Sequence, residues 1–201
     1  MLYVLIIGPT GIGKTAFSEA LMRNIPAEVI NGDMGQFYSP LTIGTAKPNL
    51  ELTIAPHYLF SFLNKPVNYS VAEYRNMVEL IGKKIINNDR IPLIVGGSTL
   101  YAASLFYPPQ LSSKFCSNKS ESLAKVQSIS VDKRWEYLNS IDQERAHKIH
   151  PNDMYRIDRA LLYWFEVGSI PSIARPVYYP LEGKKLIVHL TMPRRSELLK
   201  R

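Results

Sequence analysis

Cysteine, histidine and long apolar runs are scarce in this sequence of 201 residues. The single cysteine, Cys116, excludes an intramolecular disulfide framework. His57 and His150 are not spaced as metal ligands, which favours structural roles for both. The apolar run from Leu2 to Ile7 is too short for a signal peptide or a membrane span. We therefore expect a protein of the reducing cytoplasm with no membrane partner.

The composition is that of a globular protein with an excess of basic residues. Apolar residues make up 46% and charged residues 20%, which suits one domain of α/β size with a small appendage. The 24 Lys and Arg outnumber the 17 Asp and Glu, giving a net charge of +7. Such an excess favours association with a polyanion such as nucleic acid.

Short apolar runs alternate with helical patterns in the first half of the chain. The runs are residues 2–7, 27–30 and 91–95, and the helical patterns are residues 15–24 and 71–86. Ser70 is the expected N-cap of the second helix. This order predicts an α/β fold, a P-loop NTPase-like parallel sheet with flanking helices, with its functional edge at the carboxyl ends of the strands.

The pattern changes in the second half. A Pro-Pro pair and a Ser/Lys-rich stretch precede a helical pattern, which predicts a small helical insertion at residues 107–145. A helix at 157–167 ending at Gly168 and a strand at 185–191 follow. We therefore divide the chain into a P-loop core (1–106), the insertion (107–145) and a return to the core (146–201). The last segment, 196–201, starts like a helix and stops after little more than one turn, so we expect a truncated chain.

A phosphate-binding motif lies between the first strand and the first helix. The pattern G-x-x-x-x-G-K-[ST] matches Gly8-Pro9-Thr10-Gly11-Ile12-Gly13-Lys14-Thr15. In such a loop the backbone amides converge on phosphate oxygens, Lys14 supplies a positive charge and the Thr15 hydroxyl can bind Mg²⁺. The alternative is a plain glycine turn, but the unbroken match between a strand and a helix favours the phosphate site.

Asp33 follows the second predicted strand. In a parallel sheet this position puts its carboxylate at the same edge as the P-loop. Asp33 could act as a general base or as an outer-shell partner of Mg²⁺. Taken alone, a strand-end turn aspartate is the more ordinary interpretation.

Further segments agree, in order, with one set of family motifs. They are GPTGIGKT at 8–15, DMGQFY at 33–38, IGTAKP at 43–48, PHYL at 56–59, YSVAEY at 69–74, PLIVGGS at 92–98 and IHPND at 149–153 with R-x-x-R-A-L at 156–161. This set resembles the motifs of the tRNA dimethylallyltransferase (IPP transferase) family and spans nearly the whole chain.

The resemblance implies transfer of a dimethylallyl group from its diphosphate to N6 of the adenosine 3′ of the anticodon in tRNA. The P-loop residues would then hold the leaving diphosphate rather than ATP. Asp33 matches the base that accepts the amine proton. Lys14, the loop amides and a Mg²⁺ on Thr15 would take the negative charge of the leaving group.

The resemblance also implies contacts with tRNA, and we expect a monomer. The residues expected at the RNA are Asp33, Met34, Gly35, Gln36, Ser98, Arg156 and Arg159. Gln36 would read an adenine edge bidentately, whereas the alternative is a solvated turn residue. Arg156 and Arg159 lie one helical turn apart and would contact the RNA backbone. Their alternative is a solvated helix face paired with Asp153 and Asp158.

Some positions depart from the family. Met34 stands where serine is usual, Thr42 where aspartate precedes I-G-T, Ser39 where a basic residue is common, and Ser61 where aspartate is frequent. Members also continue for about another third of their length, with an arginine near the diphosphate. The competing functions are a P-loop kinase or ATPase, an isopentenyltransferase for free adenylate, and a non-catalytic fragment that binds tRNA or diphosphate. Gly96-Gly97 after the third run disfavours the kinase, which needs an aspartate there.

Overall fold

A computed structural model describes residues 1–65, 67, 69–106, 119–172, 181–192 and 196. The chain divides into two compact units. The first contains Met1–Pro108 and Tyr178–Arg201, and the second contains Pro109–Val177.

The first unit is built on a five-stranded sheet. Its elements are β1 (Leu2–Ile7), α1 (Lys14–Met22), β2 (Ala27–Asn31), β3 (His57–Tyr58), α2 (Val71–Asn87), β4 (Ile91–Gly96), α3 (Thr99–Phe106) and β5 (Lys184–His189). The strand order is β3-β2-β4-β1-β5, and every pairing is parallel. The predicted parallel α/β sheet is confirmed, and β5 ends two residues before the predicted position.

Burial of both faces of strand β1 explains why its sequence is apolar without alternation. Val4 and Ile6 pack on one face of the sheet with Phe17 of α1, whereas Tyr3 and Leu5 pack on the other face with side chains of α2. Successive side chains of a strand point to opposite faces, so both faces of β1 lie in a core. The four central residues of β1 are buried.

Helix α2 begins at a complete capping box. The Ser70 hydroxyl accepts from the Glu73 amide at 3.2 Å, and the Glu73 carboxylate accepts from the Ser70 amide at 2.7 Å. The Ser70 hydroxyl and the Ser70 amide both donate to the Glu73 carboxylate, and these two bonds lower the pKa of Glu73. The predicted N-cap is therefore confirmed.

In its described residues, 119–172, the second unit contains four α-helices. They are α4 (Lys119–Ser128), α5 (Arg134–Ile141), α6 (Gln143–His147) and α7 (Met154–Val167). Leu138, Ala146, Ile157 and Leu161 are buried in one shared core. Helix α7 ends at Gly168, whose φ of 70° is the left-handed conformation expected of a helix C-terminus.

The structure groups residues 146–172 differently from the predicted division into domains. These residues were expected to return to the core, but α7 packs against α4 and α5. The Arg134 guanidinium joins α5 to α7 by donating to both carboxylate oxygens of Asp158, at 3.1 and 3.0 Å. The helical unit is therefore longer than the 107–145 insertion predicted from sequence.

Two predictions concern residues outside the described part of the chain. The Pro108-Pro109 boundary lies outside it, and so does the helical start at 196–201, apart from Ser196. Among the helices that the structure describes, none is long and apolar enough to cross a membrane.

Candidate active site

The P-loop connects the buried end of β1 to the first turn of α1. Gly13 precedes Lys14 with a φ of 102°, a conformation that side chains with a Cβ rarely adopt. Ile12 is only 7% exposed and anchors the loop in the protein. Lys14 and Thr15 therefore begin α1 at the carboxyl edge of the sheet, as predicted.

The Lys14 ammonium lies over this loop. Its Nζ donates to the carbonyl oxygens of Gly8 and Pro9, both at 2.9 Å. Burial lowers the pKa of Lys14, and the negative charge of Asp33 opposes this shift. Burial therefore disfavours the charged form of Lys14 more than the nearby charge of Asp33 favours it.

The carboxylate of Asp33 reaches the same space as this ammonium. A Cβ placed on Gly97 would lie 3.7 Å from Asp33 Oδ2, from Lys14 Nζ and from the Gly8 carbonyl oxygen. Gly97 thus leaves open a small volume that a carboxylate and an ammonium both border. The predicted meeting of Asp33 and the P-loop is confirmed by this geometry.

Glycine is also required next to this point, where β2 and β4 approach each other closely. A Cβ on Gly96 would lie 2.2 Å from the carbonyl carbon and oxygen of Gly32. The Gly32 amide donates to the Val95 carbonyl at 2.7 Å, which holds the two strand ends together. The sequence position that carries a metal-binding aspartate in many P-loop kinases cannot hold one here without moving the backbone.

Asp33 caps the short 3₁₀ helix Met34–Gln36. Its Oδ1 accepts from the Gly35 amide at 3.1 Å, which leaves Oδ2 directed toward Gly97. The Met34 amide donates to the Ser98 hydroxyl at 3.3 Å, so the residues expected at the RNA on these two segments lie together.

Gln36 lies beside the same cavity, with its amide turned toward its own loop. Its Nε2 donates to the carbonyl oxygens of Thr45 at 2.8 Å and Ala46 at 3.3 Å. Bidentate reading of an adenine would require these donors to be released. That reading stays a prediction.

Two cavities adjoin the site. The first, of about 310 Å³, is lined by residues of the P-loop together with Asp33, Gln36, Thr45 and His57. The second, of about 430 Å³, is largely apolar and includes Leu5, Ile7, Ala103 and Ile187 in its wall. Gly96, at the end of β4, lines both cavities, and Asp33 lines the first.

Arg156 and Arg159 lie on α7 in the second unit, and both are exposed. Arg156 pairs with Asp153. Asp158 pairs with Arg134 instead of Arg159, and within the described residues Arg159 makes no hydrogen bond or ion pair. Of the two expected ion-pair partners of these arginines, Asp153 is therefore present as a partner. Asp158 does not serve as one in the described part of the chain.

The sequence did not single out Asn31 as a site residue. Asn31 is fully buried and its side chain bonds to the backbone of Asp33. His57, expected to be structural, lines the first cavity, and its Nδ1 lies 2.8 Å from the Ala55 carbonyl. The residues that the structure describes contain no group of three His, Cys, Asp or Glu arranged to hold a metal.

Comparison with known proteins assigns the chain to a family. The model described as IPP transferase matches residues 36–201. This chain belongs to the IPP transferase family. The tRNA dimethylallyltransferase of Staphylococcus saprophyticus is 36% identical over 180 residues, which cover 87% of this chain and 57% of that protein. The chain thus spans little more than half the length of this curated relative.

Solved structures of the IPP transferase family share the fold. The tRNA delta(2)-isopentenylpyrophosphate transferase of Staphylococcus epidermidis is 30% identical with a TM-score of 0.58, over 99% of this chain and 66% of that one. A eukaryotic dimethylallyltransferase acting on tRNA is 26% identical with a TM-score of 0.81, over 100% of this chain and 53% of that one.

Proposed function

We propose that this chain transfers a dimethylallyl group from dimethylallyl diphosphate to N6 of the adenosine 3′ of the anticodon in tRNA. The observation that carries the proposal is the shared space above Gly97, which the Asp33 carboxylate and the Lys14 ammonium both border. A reaction that removes a proton on one side and releases a diphosphate on the other needs this pair of opposite charges.

The diphosphate binds at the P-loop. The loop amides and the N-terminus of α1 attract its oxygens, and Lys14 moves from the Gly8 and Pro9 carbonyls to the phosphate. The exposed Thr15 side chain lines the same cavity as the Asp33 carboxylate, an oxygen donor set that suits Mg²⁺. When bound there through Thr15, Mg²⁺ would help to neutralise the leaving diphosphate.

The dimethylallyl group occupies the apolar cavity on the other side of the strand ends. Leu5, Ile7 and Ile187 contribute apolar surface there, and Ala102 and Ala103 of α3 leave room for a branched chain. Burial of apolar surface contributes affinity of about 25 cal/mol per Å². The donor would therefore span both cavities, with its reacting carbon near Gly97.

The chemical step joins the adenine amine to this carbon. The N6–C bond forms as the C–O bond to the diphosphate breaks, and the diphosphate leaves with the electron pair of that bond. The amine proton passes to Asp33 Oδ2, because Oδ1 already accepts from the Gly35 amide. An exocyclic amine is a poor nucleophile, so a positioned proton acceptor lowers the barrier.

The tRNA partner agrees with the charge of the chain. The net charge of +7 and the exposed Arg156 and Arg159 favour contact with phosphates. We expect a monomer acting in the cytoplasm. A kinase is disfavoured because the close approach of Gly32 and Gly96 excludes an aspartate at Gly96, the last residue of β4.

The test measures transfer of a labelled dimethylallyl group from its diphosphate to an anticodon stem-loop. It uses this chain and the same chain continued by the C-terminal part of the S. saprophyticus relative. The control RNA carries N6,N6-dimethyladenosine, which has no proton to lose. Label on the adenosine RNA alone supports the proposal. No label from either protein, with ATP hydrolysis in its place, would contradict it.

A further inference from the structure

Asn31 is a fully buried polar residue at the end of β2, with 0% of its surface exposed. Its Oδ1 accepts from the Asp33 amide at 2.9 Å. Its Nδ2 donates to the carbonyl oxygens of Asp33 at 3.1 Å and Leu59 at 2.9 Å. Exchanging the amide nitrogen and oxygen would set like groups against each other, so the partners fix a single orientation.

The side-chain bonds of Asn31 lie just past the last paired residues of the sheet. The last paired residues of β2 and β4 are Asn31 and Val95. Beyond them the Asp33 backbone, with φ −120° and ψ 114°, continues in extended conformation, outside the strand pairings found among the described residues. The Asn31 side chain pairs with both the N–H and the C=O of Asp33, groups that are costly to leave unpaired when buried. The Asp33 C=O also accepts from the Gln36 amide at 3.1 Å, so the Asp33 N–H depends more on Asn31 than the C=O does.

The bond from Asn31 to the Leu59 carbonyl connects the turn at Asp33 to a second turn, which is strained. Leu59 has a φ of 61°, a left-handed conformation that residues other than glycine rarely adopt. The same turn continues to Ser61, whose amide donates to the Gln36 carbonyl at 2.9 Å. Asn31 therefore links the backbone of Asp33 to the segment that supports Gln36.

We propose that Asn31 is a positioning residue whose amide fixes the backbone of Asp33, so that Oδ2 faces the space shared with Lys14. This inference rests on the proposed function, since it takes Asp33 as the proton acceptor. Asn31 is fully buried and bonded to main-chain atoms, so it acts on the reaction through the backbone of Asp33. A displacement of about 1 Å in a reacting group can slow a reaction by roughly 10²-fold.

The main variant is Asn31→Asp, which keeps the shape and the acceptor for the Asp33 amide. It loses both donor hydrogens of the amide, so the carbonyl oxygens of Asp33 and Leu59 are no longer held by this side chain. We expect single-turnover transfer to slow by roughly 10- to 100-fold. The Kd of Mg²⁺-pyrophosphate should stay within about twofold of wild type. Asn24→Asp, on an exposed asparagine of unit 1, is the matched control.

A second variant, Asn31→Ser, is read by NMR hydrogen exchange and needs no turnover. The Asp33 amide should exchange faster, relative to the amides of β1, once its acceptor is removed. Wild-type exchange at Asp33, or transfer by Asn31→Asp at the wild-type rate, would overturn the proposal. Loss of pyrophosphate binding along with transfer would do the same, because it would make Asn31 a general support of the fold. If the wild type itself transfers no label, the proposed function fails, and the exchange data still decide whether Asn31 holds Asp33.

Discussion

Replacing Lys14 by methionine should weaken diphosphate binding without destabilising the protein. A hydrogen bond from a charged donor contributes about 1.5–3 kcal/mol. Lys14 must release the Gly8 and Pro9 carbonyls before it binds phosphate, so part of this energy is offset. We expect a net loss of about 1–2 kcal/mol, which makes the Kd of Mg²⁺-pyrophosphate roughly 5- to 30-fold higher.

The stability of the same variant follows from the lowered pKa of Lys14. Burial lowers this pKa below its ordinary value of 10.5. Between the folded-state pKa and 10.5 the unfolded chain binds more protons, so the stability of the wild type rises with pH through that window. Below the folded-state pKa Lys14 is charged in both states, so the full cost of burying the ammonium destabilises the folded protein. Lys14→Met removes the penalty, so its free energy of unfolding at pH 7 should equal or exceed that of the wild type, and the rise at high pH should be lost.

Calorimetry with Mg²⁺-pyrophosphate and urea unfolding at several pH values measure both effects. Lys83→Met is the control, because Lys83 is exposed and pairs with Glu79 on α2. It should bind like the wild type. Unchanged affinity in Lys14→Met would refute a phosphate role. A loss of stability together with affinity would show instead that Lys14 clamps the loop through its two carbonyl bonds.

Two further predictions concern the RNA and the prenyl group. Replacing Arg156 and Arg159 together by alanine should reduce the log-log salt slope of tRNA binding by about 1–2, since each phosphate contact contributes roughly 0.7–0.9; an unchanged slope, equal to that of Lys125→Ala, would make them ordinary surface residues. Ala103→Leu should fill the apolar cavity and raise the KM for dimethylallyl diphosphate while leaving pyrophosphate binding unchanged. The same exchange at the exposed Ala124 of α4 is its control, and an equal KM in both variants would remove the prenyl group from that cavity.

Local sequence signals predicted most of the first unit. Ser70 and Glu73 form a capping box within four residues, and the P-loop motif sets its own turn, because both depend on neighbours in sequence. The apolar run of β1 likewise indicated burial on both faces. Asp33 was placed at the P-loop edge by the rule that parallel strands end at one edge.

Contacts between distant segments could not be predicted. The apolar face of α7, with Ile157 and Leu161, indicates a buried helix but not the unit that buries it. Arg134 pairs with Asp158 across 24 residues, and Asn31 bonds to Leu59 across 28. In the sequence, Asn31 at the end of a strand cannot be distinguished from an ordinary turn residue. Its full burial and its bonds to Asp33 are visible in the structure alone, and they indicate another role.

The substitution Asp33→Asn tests whether Asp33 is the proton acceptor of the transfer. Asparagine keeps the size and an acceptor for the Gly35 amide but is not basic. Single-turnover transfer to the anticodon stem-loop should slow by roughly 10² to 10⁴-fold, with the Kd of Mg²⁺-pyrophosphate unchanged. Asp89→Asn, in the exposed turn before β4, should match the wild type. Transfer by Asp33→Asn at the wild-type rate would contradict the account.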